Sequence, residues 1–329
     1  MKKHYTRRDF IATAATFCIG LPLPLFAKPG LRTLNKQVKL GLITDLHQDI
    51  MHDGFERMNV FVKQMKKFKP DALLQLGDFA YPGDKNKHVI DLYKNAHKHV
   101  LHVIGNHDTD AGFAKELCIQ YWGMPARYYT SEVGGIILIV LDGNDKGSPS
   151  YKGGYPAYIN DEQQQWLIQK LEEADKPVVI VSHQPLAGPG AIDNAADIQN
   201  ILSAASQKIL LAINGHTHID ALFNINQVTY VHLNSASYFW VGDKYQHESY
   251  TADIHKTHPW ISRTCPYKEA LFATLTIDPA SSSITIEGRR SEWVGSSPGQ
   301  LHYSEALSPE GSKAIVPVIS NRHIQQIRL

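Results

Sequence analysis

The chain has 329 residues, 43% of them hydrophobic and 20% charged, enough to bury a full core as one large domain or two. Lys plus Arg total 33 against 32 Asp plus Glu, a balance that offers no general attraction to nucleic acid or to an anionic membrane and counts against a nuclease. Three cysteines without CxxC spacing (Cys18, Cys118 and Cys265) exclude a Cys-rich zinc module and a disulfide framework. Cys118 and Cys265 read as two buried thiols, although an oxidising compartment would permit them to pair.

The amino terminus, residues 1–30, reads as a targeting segment. A basic stretch precedes an uncharged run from Phe10 to Ala27, which is too short and too broken by Pro22 and Pro24 to cross a bilayer as a helix. Arg7 and Arg8, followed by Asp9, Phe10 and Ile11, resemble the twin-arginine export motif. That resemblance implies folded export by the twin-arginine translocase, a periplasmic or secreted destination, and no stable membrane anchor. Ala27 is the expected cleavage residue, despite an unfavourable Leu25 two positions earlier.

From residue 31 onward, strands alternate with helices. Five apolar runs, rich in β-branched residues and Leu, suit strands buried on both faces: VKLGLITD, DALLQLGD, HVLHVIGNHD, PVVIVSH and ILLAINGHTH. Between and after them, helical spacing predicts helices over Gly54–Phe68 (stopped by Pro70), Lys87–His97, Gly112–Tyr121, Asp161–Ala174 and Ala195–Ala205. In the fourth, Trp166, Leu167 and Leu171 are expected to face inward. Arg127–Leu141 reads as a hairpin turning at Gly134 and Gly135. The runs QVTYVHLN, ALFATLTID and SITIEG are expected in a second, more antiparallel sheet packed on the first. Phe239 to Lys268 reads as a long His- and aromatic-rich loop.

Each of the five runs stops in side chains suited to metals: Asp45 and His47, then Asp78, then Asn106, His107 and Asp108, then His183, and finally His216 and His218. Ligands in open α/β sheets collect beyond the carboxyl ends of strands, so these residues are expected on one rim. Gly77, Gly105 and Gly215 are expected to let the backbone bend beside them.

The order of blocks (D-x-H, G-D, G-N-H-D, a lone His, then G-H-x-H) resembles the calcineurin-like metallophosphoesterase superfamily, over about residues 38 to 220 by motif. The resemblance implies an α/β fold, a four-layer αββα sandwich of two mixed sheets flanked by helices, spanning residues 31–329. It also implies a phosphoric-ester hydrolase, monoesterase or diesterase, in which a hydroxide bridging two metal ions attacks phosphorus. Such ions, about 3.5–4 Å apart, clamp the attacking and leaving oxygens. By resemblance Asp45, His47, Asp78 and His218 hold the first ion. Asp78, Asn106, His183 and His216 hold the second, with Asp78 bridging. His107 becomes the general acid or a charge donor to the phosphoryl group. Asp108 orients a histidine or pins the loop.

The ions are Mn, Fe or Zn, since imidazole and carboxylate suit all three. Asp78 to Tyr81 also fits the GDxxY motif of purple acid phosphatases, in which the tyrosine ligates iron. His47 is absent from those enzymes, which places Tyr81 behind the ligands. His52, His88, His97, His99 and His102 match no motif position, although His102 alternates towards the site. Tyr151–Tyr158, Gln184–Pro185 and the 239–268 segment are candidates for the mouth, and Lys146 and Lys152 for a phosphate contact. The expected partner is a small phosphoester. A non-catalytic metal-binding module on the same fold and a nuclease are the competing readings.

Overall fold

A computed structural model describes residues 34–304 and 315–325. The expected targeting segment lies outside them. Among the described residues, no helix is long and apolar enough to cross a membrane.

Among the described residues, fourteen strands form two six-stranded sheets and a small ribbon. In the first sheet β1 (Val38–Ile43), β2 (Ala72–Gln75) and β3 (Val100–His102) run parallel. Their links cross over through α1 (Gly54–Phe68) and α2 (Lys87–Lys94). Helix α1 ends where Lys69 turns left-handed (φ 54) and returns its N–H to Met65, just before Pro70. A further helix, α3 (Lys115–Trp122), follows a 3-10 turn over His107–Gly112 and stops at Gly123.

The second sheet begins with the hairpin β4 (Tyr129–Val133) and β5 (Ile136–Val140). Gly134 and Gly135 both take positive φ (62° and 95°), as a two-residue hairpin turn demands. Parallel strands β6 (Val178–Val181) and β7 (Ile209–Asn214) follow, through α4 (Asp161–Glu173) and α5 (Ala195–Ala204). The hairpin β8 (Ala221–Ile225) and β9 (Val228–His232) completes this sheet, with β9 parallel to β7. Side chains of β5 and β6 alternate between two cores. Leu138, Val140, Val179 and Val181 share the large core with β1, β2 and α1. Ile139, Leu141, Val178 and Ile180 join Leu167 and Leu171 of α4 and Ile198 and Leu202 of α5. The layers are therefore helix, sheet, sheet, helix.

Three expectations change. The five ligand-bearing strands do not share one sheet: β1, β2 and β3 lie in the first, β6 and β7 in the second. The late strands do not make a sheet of their own either. After the ribbon strands β10 (Tyr238–Trp240) and β11 (Thr264–Pro266), the chain returns as β12 (Ala273–Asp278), which pairs antiparallel with β1. The strands β13 (Ser283–Glu287) and β14 (Arg322–Gln325) extend the same edge. Lastly, residues 239–268 are not one loop, since they hold β11, the end of β10, and the short helix α6 (Ala252–Thr257) between them. Their polar composition reads as loop because the ribbon is only three residues wide and lacks an alternating pattern.

Helix α4 also departs in detail. Gln163 takes an inward position beside Leu167 and Leu171, bonded to the backbone of Asp142, whereas Trp166 sits on the flank against Tyr128.

Candidate metal centre

The carboxyl ends of β1, β2 and β3 meet those of β6 and β7 at one end of the interface between the sheets, and their loops bring seven side chains together. Asp45, His47 and His218 form one set, and Asp78, His183 and His216 another. Within each set one ligand atom per residue lies within 4.8 Å of the others. In the first, His218 Nε2 is 3.1 Å from Asp45 Oδ1 and 3.2 Å from His47 Nε2. In the second, His183 Nε2 lies 3.1 Å from Asp78 Oδ2, 3.1 Å from Asn106 Oδ1 and 3.3 Å from His216 Nδ1.

Asp78 divides its oxygens. Oδ1 accepts the His107 N–H at 2.8 Å, while Oδ2 stands 3.1 Å from His183 Nε2 and 3.6 Å from His47 Nε2. One oxygen is thus left between the two sets, the position a shared ligand needs.

The donor set fits cations. His218 donates Nδ1–H to the Tyr238 carbonyl and His183 donates Nδ1–H to the Leu76 carbonyl, both at 2.8 Å. With Nδ1 so committed, each ring points its Nε2 inward, fixed by a backbone partner in the way metal-binding histidines are. Once those nitrogens carry no proton, their lone pairs converge at about van der Waals distance on carboxylate and amide oxygens, an arrangement that is repulsive unless positive charge sits among them.

Charge follows the same logic. Burial raises the Asp45 carboxyl, but His218 and His183 outweigh it and hold it at about 2. Burial raises Asp78 too, yet His183 and His107 bring it well below the usual carboxylate range. Burial pulls His47 well down and His216 to about 3, leaving both neutral. His183 is pulled down by burial but lifted by Asp78 to about 9, so it must release a proton before it can ligate.

Backbone strain concentrates here. Five of the seven, Asp45, His47, Asp78, His216 and His218, take positive φ between 49° and 71°. A non-glycine residue in that region costs of order 1 kcal/mol and persists only where its surroundings force it. The forcing contacts are Asp45 N–H to Gly77 O and His47 N–H to Asp78 O in the backbone, and the Ser235 and Ser237 hydroxyls to Asp45 O and Leu46 O. Of the three glycines expected to bend, only Gly77 has positive φ. Gly215 is required for closeness instead, because a Cβ there would overlap Thr44 and the Asp45 carboxylate.

His107 lies beside these sets, its ring centroid 5.1 Å from that of His47. Its Nδ1 donates to Asp110 Oδ2 at 2.7 Å, and Tyr155 hydroxyl donates to the same carboxylate at 2.8 and 3.0 Å. Burial pulls His107 down, but Asp78 and Asp110 raise it above its ordinary value overall. With Nδ1 committed to Asp110, Nε2 is left for proton delivery.

Asp108 touches no imidazole. Its oxygens accept backbone N–H groups from Asp78, Phe79, Ala80 and Gly105. Of the two roles the resemblance implies, that is loop pinning, and Asp110 is the carboxylate that orients the histidine.

Tyr81 lines the cavity, its phenol pushed up to about 12 by burial and by Asp110 and Asp49. His102 lies away from the centre, packed against Trp122, Tyr93 and Phe79. Gln184 is buried behind the centre against Asn144, and Lys146 and Lys152 do not line the cavity. Cys118 and Cys265 are buried free thiols.

Sequence reasoning passed over Asp110, Tyr238 and the serines of Ser235–Ser237. Asp110 was within reach, three residues after His107 in HDTD. Tyr238, whose carbonyl orients His218 and whose ring lies 4.9 Å from His47, carries no local signal.

Residues 38–220, more than half of the chain, match the family described as calcineurin-like phosphoesterase. The chain belongs to that family of metal-dependent phosphoesterases. No curated protein matches it significantly. Among solved structures it is similar to a dimetal phosphatase from Danio rerio, with 15% identity, TM-score 0.57, and coverage of 78% of this chain and 98% of that one. It is also similar to GAP50, described as the anchor in the inner membrane complex of Plasmodium, with 14% identity, TM-score 0.53, and coverage of 88% and 89%. At such identities the likeness is one of fold.

Proposed function

We propose that the chain is an exported enzyme hydrolysing small phosphoric esters at this centre. Asp45, His47, Asp78 and His218 surround one ion, and Asp78, Asn106, His183 and His216 the other. The observation that carries the reading is Asp78 Oδ2, standing between two otherwise separate ligand sets.

Bound ions of Mn, Fe or Zn supply charge neutralisation at the phosphoryl oxygens and lower the pKa of water for in-line displacement. The chain supplies the rest. His107, held by Asp110, carries a proton to the departing oxygen, a contribution of roughly 10²–10⁴ in rate. The Asp108 carboxylate fixes the Asp78 loop. The loops enclose a cavity of about 830 Å³, lined by His47, His218, Asp78, Asn106 and His216 together with Tyr81, Tyr155, Tyr238, Trp240 and Trp260. That is room for a phosphoester with a sizeable leaving group.

The description of GAP50 as an anchor makes a non-catalytic role the competing reading. The unit of His107, Asp110 and Tyr155 favours chemistry, because a binding module has no use for an oriented proton carrier.

The test is a substrate panel on protein reconstituted with each metal: a monoester, a bis-aryl diester, a cyclic nucleotide and a phospholipid head group. Turnover of at least one ester is expected. Protein holding two ions per chain that turns over none would overturn the enzymatic reading. Export is tested separately by changing Arg7→Lys and Arg8→Lys together. Precursor should then accumulate in the cytoplasm, and unimpaired export would point to the general secretion route.

A further inference from the structure

One wall of the cavity is a row of aromatic rings that begins at a candidate ligand. The His47 imidazole lies 4.9 Å from the Tyr238 ring, Tyr238 lies 6.4 Å from Trp240, and Trp240 lies 6.5 Å from Trp260, centroid to centroid. The last two indoles are inclined by only 29°. Among the described residues they are two of the few large apolar side chains left open to solvent, 37% and 52% exposed. All four rings line the same cavity.

These indoles are held in place. Trp240 ends β10 and pairs with Thr264 of β11. Trp260 stands in a short 3-10 turn opened by Pro259, with the Arg263 guanidinium 4.2 Å over its ring. Arg263 is in turn bonded to Asp243. One face of Trp260 is thus covered by a cation that is itself anchored. A nearly parallel pair of indoles next to a reaction centre that keeps this much ring surface in water forgoes part of its burial. It suits a partner with a π-face.

We infer that Trp240 and Trp260 form a shelf that recognises a planar aromatic group on the leaving side of the ester. The inference rests on the phosphoesterase reading of the neighbouring centre and deepens it. Two ions grip a phosphoryl group alike in every ester, so discrimination falls to surfaces beyond it. The shelf starts one ring beyond His47, with Tyr238 between them. An aliphatic chain would be served equally by Leu or Ile. Stacking on an aromatic ring contributes about 1–3 kcal/mol per ring, which is about five- to 150-fold in affinity.

The test uses 2-phenylethyl phosphate and 2-cyclohexylethyl phosphate with the metal-reconstituted full chain. Their leaving alcohols have similar acidity and size, so the ratio of kcat/KM isolates the planar ring. A preference of about tenfold for the phenyl ester is expected. It should fall to about one in Trp240→Leu/Trp260→Leu and survive in Trp240→Phe/Trp260→Phe. A ratio near one in the unaltered protein, or a preference unchanged by the double Leu substitution, would overturn the shelf.

The matching phosphonates, which are not hydrolysed, are titrated in parallel by tryptophan fluorescence. Should neither ester turn over, that result counts against monoester hydrolysis at the centre and not against the shelf, which the phosphonates then decide. Tighter binding of the phenyl phosphonate, lost in the double Leu variant, would still support the shelf, and equal binding of the two phosphonates would overturn it.

Discussion

Around His107 and Asp78, the polar atoms divide between holding the loop and facing the ligand sets. Asp78 gives Oδ1 to the His107 N–H and keeps Oδ2 between the ligand sets, while His107 gives Nδ1 to Asp110. Removing the imidazole should therefore leave the ligand sets intact. His107→Ala is expected to keep its metal content while kcat falls by at least about 10². Metal analysis beside kinetics decides the matter, and wild-type turnover would remove His107 from the proposed chemistry.

A second residue-scale prediction concerns His102. Burial pulls its pKa from 6.5 to about 3, and among the described residues both ring nitrogens lack a hydrogen-bond partner. Because the folded value lies below the unfolded one, the unfolded chain takes up the proton first as pH falls. The effect is absent above about pH 6.5 and grows as pH drops towards about 3. Between pH 7 and pH 5 it amounts to about 2 kcal/mol. His102→Phe, which keeps a ring against Trp122, should lose less stability over that interval than the unaltered protein by about this amount in urea titrations. Parallel pH dependence in the two proteins would contradict it.

The seven candidate ligands were legible in sequence because each follows an apolar run, and strand ends are where such sheets expose function. His102 was harder. It lies in the third of those runs, yet its ring faces Trp122 in the core, and strand alternation alone does not say which face meets the site.

At the scale of elements, the centre depends on segments remote in sequence. Arg57 of α1 is buried, paired with Asp53, and donates to the carbonyls of Ala236 and Tyr267. The segment around Ala236 carries Ser235 and Ser237, whose hydroxyls hold the backbone of Asp45 and Leu46. Arg57→Ala removes those donors and leaves two buried carbonyls without them. A loss of about 3 kcal/mol in unfolding free energy is expected, measured by urea titration. A loss below about 1 kcal/mol would mean that water replaces the guanidinium without cost.

Helices and their ends could be read from periodicity and Pro or Gly stops. Sheet membership could not. β12 joins β1 by pairing Val38 with Ile277, a contact that neither segment's pattern announces. The division of the five ligand strands between two sheets is hidden for the same reason, since a buried parallel strand looks alike in either.

Over the whole molecule, the two sheets meet where the ligand sets meet. Asp45, Asp78 and Asn106 come from one sheet's loops, and His183, His216 and His218 from the other's. Across that junction the His216 N–H reaches the Asp45 carboxylate, and the Ser235 and Ser237 hydroxyls hold Asp45 O and Leu46 O. Metal binding should therefore join the sheets and stabilise the fold, since ligands scattered along the unfolded chain bind weakly.

The most direct test of this account is the metal content of Asp78→Asn beside that of the unaltered protein after identical reconstitution. Two ions per chain are expected in the unaltered protein. Asp78→Asn weakens the one ligand common to both sets, so both ions and all turnover should be lost together. Retention of two ions, or loss of one ion with the other held at full strength, would contradict a centre built around a shared Asp78.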